Sequence, residues 1–392
     1  MDIKKEVDLM SNYIIRLRKH FHMHPELAMQ ETGTAERIKE ELRTLEIPYV
    51  TVGATGVIGI IGKGNKVIAL RADMDALKIQ EKNEITYHSV VDGVMHACGH
   101  DVHMAALLGA AAILKKHESS LKCTVKLIFQ PAEEISLGAK MMADSGYLDD
   151  VSGIFGLHVF GDIPCGQISI EEGERMAASD RFTIHIMGKS GHAGKPHQGI
   201  DATVVGAAIV MNLQTIVSRE FDPIDSCVVT IGHFTSGAQH NVISGDALIE
   251  GTARTFSNED AKHIEHSVKR MALGTANCYG ATCHVDYKRS LHPAVINEKE
   301  LTKVALRGAR KIFEEKQLVS IPKMMLGEDF SIYQQRIPGV FAFVGAGNEA
   351  LGRAYPNHHE CFNIDEKAVL NASMLHLAFV TEINDSFGEI SS

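Results

Sequence analysis

The feature that most constrains the fold is a self-contained run of strands and helices in mid-chain, between residues 181 and 288. RFTIHIMG (181–188) alternates as a strand, and DATVVGAAIVMNLQTIVS (201–218) has helical spacing. CVVTIGHF (227–234) and DALIEGTARTF (246–256) read as strands, NEDAKHIEHSVKRMAL (258–273) as a helix, and ATCHVDYK (281–288) as a closing strand. This β-α-β-β-α-β order is the ferredoxin-like α+β pattern, complete within about 110 residues. A complete small fold in that position predicts an inserted domain, residues 179–290.

On either side the chain alternates in α/β style. GVIGIIG (56–62), KVIALRA (66–72), CTVKLIFQ (123–130), GIFGLHV (153–159) and VFAFVGA (340–346) are buried-strand patterns. Helices are expected within 1–45, broken by HMHPELAMQE, and over 101–116, 137–145, 298–316, 329–336 and 365–385. The expectation is a mixed sheet flanked by helices, formed by 1–178 and 291–392. A length of 392 residues suits two such domains.

Charge narrows the function. The formal net charge is −10 and no Lys/Arg block occurs, which argues against nucleic acid and against an anionic membrane surface as partners. The first residues lack the apolar core of a signal peptide. The longest apolar stretch identified, MAALLGAAAIL, is well short of the roughly 18 residues a membrane span needs. Seven cysteines without regular spacing predict a cytoplasmic protein rather than a disulfide scaffold.

The 21 histidines are the compositional outlier, and several sit beside Cys, Asp or Glu. Cys98, His100, Asp101 and His103 lie in HACGHDVH, Glu133 and Glu134 in QPAEE, His158 in GLHV, and His358 with His359 in YPNHHE. Taken singly, each is more often a structural histidine, a solvated helix start or a surface loop. Three of the four places, those of Glu133/Glu134, His158 and His358, follow or close expected strands, and loops at the carboxyl ends of strands are where ligands bind in open α/β sheets. Imidazole suits Zn, Ni or Fe, carboxylate accepts Mn or Mg, and thiolate favours softer ions. More ligands are available than one tetrahedral ion needs, so two neighbouring ions are expected. Adjacent residues after a strand project differently, so Glu134 can bind metal and leave Glu133 for proton transfer.

RADMDAL (71–77), HACGHDVH (96–103), FQPAEE (129–134), GLHV (156–159), GKSGHAGKPHQGIDA (188–202), HNVISGDALIEGTAR (240–254) and GEDFS (327–331) occur in a recognisable order. Together with HMHPELAMQE they resemble the metallo-aminoacylase/carboxypeptidase superfamily of two-metal peptidases. The similar branch contains hippurate hydrolases, N-acyl-L-amino acid amidohydrolases and auxin-conjugate hydrolases. The resemblance spans residues 13–380. It implies an α/β, two-metal aminopeptidase-like catalytic domain with an inserted ferredoxin-like lid and dimerisation domain. It also implies two divalent ions per subunit, Mn, Zn, Co or Ni with Mn or Zn favoured, and a homodimer or higher homo-oligomer.

By the same resemblance Cys98 bridges the ions, and His100, Glu134, His158 and His358 complete the ligands. His358 is preferred to His359 because the motif places its ligand four residues before a Phe, here Phe362. Glu133 is the implied general base and acid, and Asp75 a carboxylate that orients a ligand. His192 is the implied partner of the substrate carbonyl oxygen; Asn241 and Arg254 are the implied holders of its carboxylate, for which a guanidinium fork is apt. The chain departs from the branch at Lys78 and Ser244, where Pro is usual, and at ISLGA after Glu134, where a glycine run is usual.

The expected chemistry is hydrolysis of the amide of an N-acyl amino acid, with Glu133 activating a metal-bridged water. The nearest alternative is the same reaction on small peptides, as a dipeptidase or carboxypeptidase. A non-catalytic metal-binding protein would need neither Glu133 nor His192 nor Arg254. The Pro-Cys-x-x-Cys signature of zinc deaminases and the Gly-x-Ser-x-Gly elbow are missing, and Gly188-Lys189-Ser190 has Thr183 where a phosphate loop needs its first glycine.

Overall fold

In a computed structural model that describes residues 1–385, the chain forms two compact units. The first comprises Met1–Arg175, Ile296–Pro322 and the chain from Asp329 on; the second is Met176–Val295 with Lys323–Glu328. In chain order, α1 (Ile3–Met23) and α2 (Thr32–Thr44) precede β1 (Tyr49–Val52), β2 (Gly56–Ile61) and β3 (Lys66–Asp73). Then come α3 (His100–Lys116), β4 (Cys123–Gln130), α4 (Gly138–Ala143), β5 (Val151–Pro164) and β6 (Ile168–Ser169). The chain changes unit at β7 (Gly173–Met176) and continues through β8 (Ala178–Met187), β9 (Gly191–His192) and α5 (Ala202–Glu220). It goes on with β10 (Val228–Ser236), β11 (Val242–Ile243), β12 (Asp246–Thr255), α6 (Asn258–Cys278) and β13 (Thr282–Lys288). β14 (Val295–Asn297) leads back to α7 (Lys299–Arg310), α8 (Ser331–Gln334), β15 (Gly339–Gly347) and α9 (Lys367–Asp385).

The first unit is built on a seven-stranded mixed sheet in the order β1-β2-β4-β3-β5-β15-β6. Its centre, β4-β3-β5-β15, is parallel, while β1, β2 and β6 pair antiparallel at the margins. Parallel strands covered on both faces read as nearly unbroken apolar runs, and all nine residues of β15 are buried. Helix α3 is buried from His100 to Leu114 without interruption, as a helix apolar on every side must be. It packs against α1 and α9. Gly109 is needed at that crossing, because a Cβ there would lie 2.6 Å from Ile14 Cγ1 and 2.8 Å from Ser373 Oγ.

The second unit carries a four-stranded antiparallel sheet, β10-β12-β8-β13, with α5 and α6 packed against it. β8 and β12 alternate buried and accessible residues, the period of a sheet with one covered face. The core includes Phe182, Ile184, Ile186, Ile209, Leu213, Ile249, Ile264 and Val268. A full burial of each such side chain contributes about 1.5–3 kcal/mol.

Two sequence expectations need correction. β5 runs to Pro164, so His158 lies inside the strand rather than near its end. The longest apolar helix is α5, not the MAALLGAAAIL segment: α5 has the length and composition to cross a membrane. It is weak evidence for a span, since Val205, Ile209, Leu213 and Ile216 are buried in the core of the second unit.

Candidate metal centre

The strands and connections of the first unit bring ligand-type side chains to one place. Asp75 follows β3, Glu133 and Glu134 follow β4, and His158 lies in β5. His100 is the first residue of α3, and His358 comes from the connection between β15 and α9. Cys98 Sγ lies 3.3 Å from both His158 Nε2 and His358 Nε2. His358 Nε2 is 3.6 Å from Glu134 Oε1.

These side chains form two overlapping groups. Ligand atoms of Cys98, His100 and His158 lie within 4.8 Å of one another, and so do those of Cys98, Glu134 and His358. Cys98 belongs to both. A further group joins His100 to Glu133 and Glu134 at the same spacing.

Ring orientation follows from hydrogen bonds on the far nitrogens. His158 Nδ1 donates to the Val159 carbonyl and His100 Nδ1 to the Asp75 carbonyl, each at 2.8 Å. Both rings are therefore held through Nδ1 with Nε2 left for a cation, which binds that nitrogen in its deprotonated form. His100 Nε2 and Glu134 Oε1 are buried with no hydrogen-bond partner. Buried polar atoms left in that state are costly, and a divalent cation that displaces their protons satisfies them. The donor set fits such ions.

Asp75 orients more than a ligand. Besides its carbonyl contact with His100, its Oδ1 accepts from Glu133 N–H and its Oδ2 from Glu134 N–H, each at 3.0 Å. The turn they belong to is strained, with Ala132 and Ser136 at φ of 55° and 56°, and so is His358 in its own connection, at 67°. Left-handed conformations at non-glycine residues cost about 1–3 kcal/mol each and collect at functional sites. Gly138 closes the turn, because a Cβ there would sit 1.5 Å from the Pro131 carbonyl oxygen.

Burial sets the protonation of the metal-free centre. It pushes the Glu134 carboxyl up to about 7, with Asp75 adding to the rise and His100 opposing it. Burial, with Glu134 beside it, holds the Cys98 thiol well above its ordinary range. Near neutral pH the thiol, and about half of the Glu134 carboxyls, thus carry protons that a cation must displace. Metal addition at pH 7 is therefore expected to release protons, and apparent affinity to weaken as pH falls below 7. Calorimetry in buffers of different ionisation enthalpy reads the release; heat independent of buffer would contradict it.

His103 and Asp101 do not join the ligands. Asp73, His100 and His103 have the spacing of a metal group, but both His103 nitrogens are committed. Nδ1 contacts Asp73 Oδ1 at 2.5 Å, and Nε2 accepts from Val159 N–H at 3.0 Å. Asp101 instead accepts from Arg18 Nε and pairs with His22 Nδ1, both at 2.8 Å. His359 turns away from Cys98, stacking on Tyr355 and accepting from Cys361 N–H. Sequence reasoning missed Asn357, whose Nδ2 donates to the carbonyls of Cys98 and Val159 at 2.9 and 3.0 Å. Its only sequence signal was its place beside His358.

The second unit holds the other three site candidates. His192 is exposed, and its partner across the β9–β11 ladder is Val242. Asn241 is beside them, its carbonyl accepting from Ala193 N–H at 3.1 Å. Arg254 is half-buried near the far end of β12 and donates to the Met325 carbonyl at 2.8 Å. Asp246 to Arg254 along β12 spans roughly 26 Å at strand rise, with Asn241 preceding the first end and Arg254 close to the other. Ser244, where the resemblance leads one to expect Pro, donates its hydroxyl to the Asp246 carbonyl at 2.6 Å.

Comparison with known proteins agrees with this architecture. A family model described as peptidase family M20/M25/M40 matches residues 69–382. The N-acetylcysteine deacetylase of Bacillus subtilis (strain 168) is 41% identical over 369 residues, 92% of this chain and 94% of its own. The IAA-amino acid hydrolase ILR1-like 4 of Arabidopsis thaliana is 39% identical over 375 residues, 94% of this chain and 85% of its own. Among solved structures, the Bacillus subtilis YXEP protein is described as a dinuclear metal binding peptidase from the M20 family. It superposes with a TM-score of 0.84 at 36% identity, covering 96% of this chain and 99% of that one.

Proposed function

We propose, given that this chain belongs to peptidase family M20/M25/M40, that it hydrolyses the amide bond of N-acylated amino acids, acetyl, benzoyl or similar. The products are a carboxylate and a free amino acid. The observation that carries the reading is the pair of ligand groups sharing Cys98, with Glu133 in reach of the same ligands.

Cys98, His100 and His158 would hold one divalent ion, and Cys98, Glu134 and His358 the other. Such ions supply Lewis acidity and acidify water near neutral pH. The chain's own part is proton transfer and orientation. Glu133 takes a proton from the attacking water and returns it to the departing amine nitrogen, so one carboxylate serves as base and then acid. Asp75 keeps Glu133 and Glu134 in place through their N–H groups. His192 is the donor proposed for the substrate carbonyl oxygen as charge develops there, and Asn241 and Arg254 for the substrate carboxylate. With Asn241 before β12 and Arg254 near its far end, the proposal includes a homodimer. An enzyme that sediments as a fully active monomer would remove that part.

The family's peptidase members favour a second reading, cleavage of small peptides by the same groups. Amine release from a panel of N-acetyl and N-benzoyl amino acids with matched dipeptides separates the two. Preferential cleavage of the acyl amino acids is expected. Cleavage confined to the dipeptides would replace this reading with the peptidase one.

A further inference from the structure

The turn after β4 is held by more than Asp75. Pro131 has no N–H, so the first donor beyond the strand's last residue, Gln130, is Ala132 N–H. That group donates to Glu31 Oε1 at 2.9 Å. Three consecutive N–H groups, of Ala132, Glu133 and Glu134, therefore end on two carboxylates of the chain itself.

Glu31 is completely buried at the start of α2. Its Oε1 also accepts from Met29 N–H at 3.0 Å, and its Oε2 from the Thr55 hydroxyl at 3.1 Å. Met29 and Ala132, the two residues whose N–H groups share Oε1, both have positive φ, 64° and 55°. A carboxylate is placed where the backbone is least comfortable, and it accepts from both sides. Ala132 is also the pivot of the turn, since Leu137 N–H and Gly138 N–H donate back to its carbonyl.

We infer that Glu31 is a positioning residue: by fixing Ala132 in its left-handed conformation it sets the direction in which Glu133 and Glu134 leave the turn. Glu31 touches no reacting group and acts through the backbone of its neighbours. The inference rests on the reading of Glu133 as the proton carrier.

The test uses the metal-loaded full chain. Glu31→Ala is expected to lower kcat by about 10²-fold, the scale of a misplacement near 1 Å, with KM little changed. Glu31→Gln keeps an oxygen for the two N–H groups, and the Thr55 hydroxyl can turn to accept from the new amide. It is expected to work close to wild type. Glu31→Asp keeps the charge but is one methylene too short, and is expected to fall with the alanine variant. The order Gln above Asp distinguishes positioning from a charge effect, and it decides the matter even if the alanine variant does not fold.

In a Glu133→Gln background Glu31→Ala should change kcat little, because the group it positions is already lost. Wild-type turnover by Glu31→Ala, or Asp outperforming Gln, overturns the inference while leaving Glu133 as the base. Wild-type turnover by Glu133→Gln itself sinks the reading beneath it.

Discussion

Glu133→Gln is expected to lower kcat by about 10²–10⁴-fold while both ions stay bound, because an amide of the same shape cannot take a proton from water. That loss corresponds to roughly 3–5 kcal/mol of transition-state stabilisation. Glu134 and the other proposed ligands are untouched, so metal content measured on the same sample should match wild type. Loss of metal together with turnover would instead make Glu133 a ligand, and full activity would remove it from the chemistry.

The largest effect on stability is expected at Arg71. Its guanidinium is fully buried and donates to Gln130 Oε1 at 2.9 Å, Asp73 Oδ2 at 2.6 Å and Asp329 Oδ1 at 2.8 Å. Gln130 Nε2 reaches both oxygens of Asp329 at 2.9 Å, and Ala139 N–H donates to Asp329 Oδ2 at 3.1 Å. The guanidinium, with burial working against it, holds the Asp73 carboxyl well below its usual range. Arg71→Leu strands two buried carboxylates and is expected to cost about 3–5 kcal/mol. For a unit of this size that is a fall in Tm of roughly 10 °C. Combining it with Asp329→Leu should recover part of the loss, because joint removal of a buried pair is far less damaging than removal of one partner. A single variant that melts like wild type would show that the network contributes little.

The parts of the fold legible in the sequence were those with a period. The strands of the second unit and the apolar central strands of the first carried their own patterns, and β8, β12 and β15 lie where those patterns put them. The shortest strands had none. β1 is four residues with one buried, and β6, β9 and β11 are two residues each, too short for any alternation. Pairing in such strands is set by neighbours far away in the chain.

The same division runs through the site. Cys98, His100, Glu134, His158 and His358 stood out because their side chains are ligand types gathered in a few short motifs. His103 has the same chemistry in sequence, and only the positions of Asp73 and Val159 show that its nitrogens are occupied. Glu31 and Asn357 act on backbone atoms 101 and 259 residues away, a distance over which composition and spacing carry no signal. The left-handed Ala132, Ser136 and His358 lack the glycine that would have marked them.

The most direct test of the shared-cysteine centre is metal content against turnover for wild type and Cys98→Ala, each stripped by chelation and reloaded separately with Mn, Zn, Co or Ni. The account predicts two ions per wild-type chain, amine release that disappears on stripping and returns on loading, and failure of Cys98→Ala to hold the pair. Turnover by the stripped protein, or a Cys98→Ala variant that binds two ions as tightly as wild type, would contradict it.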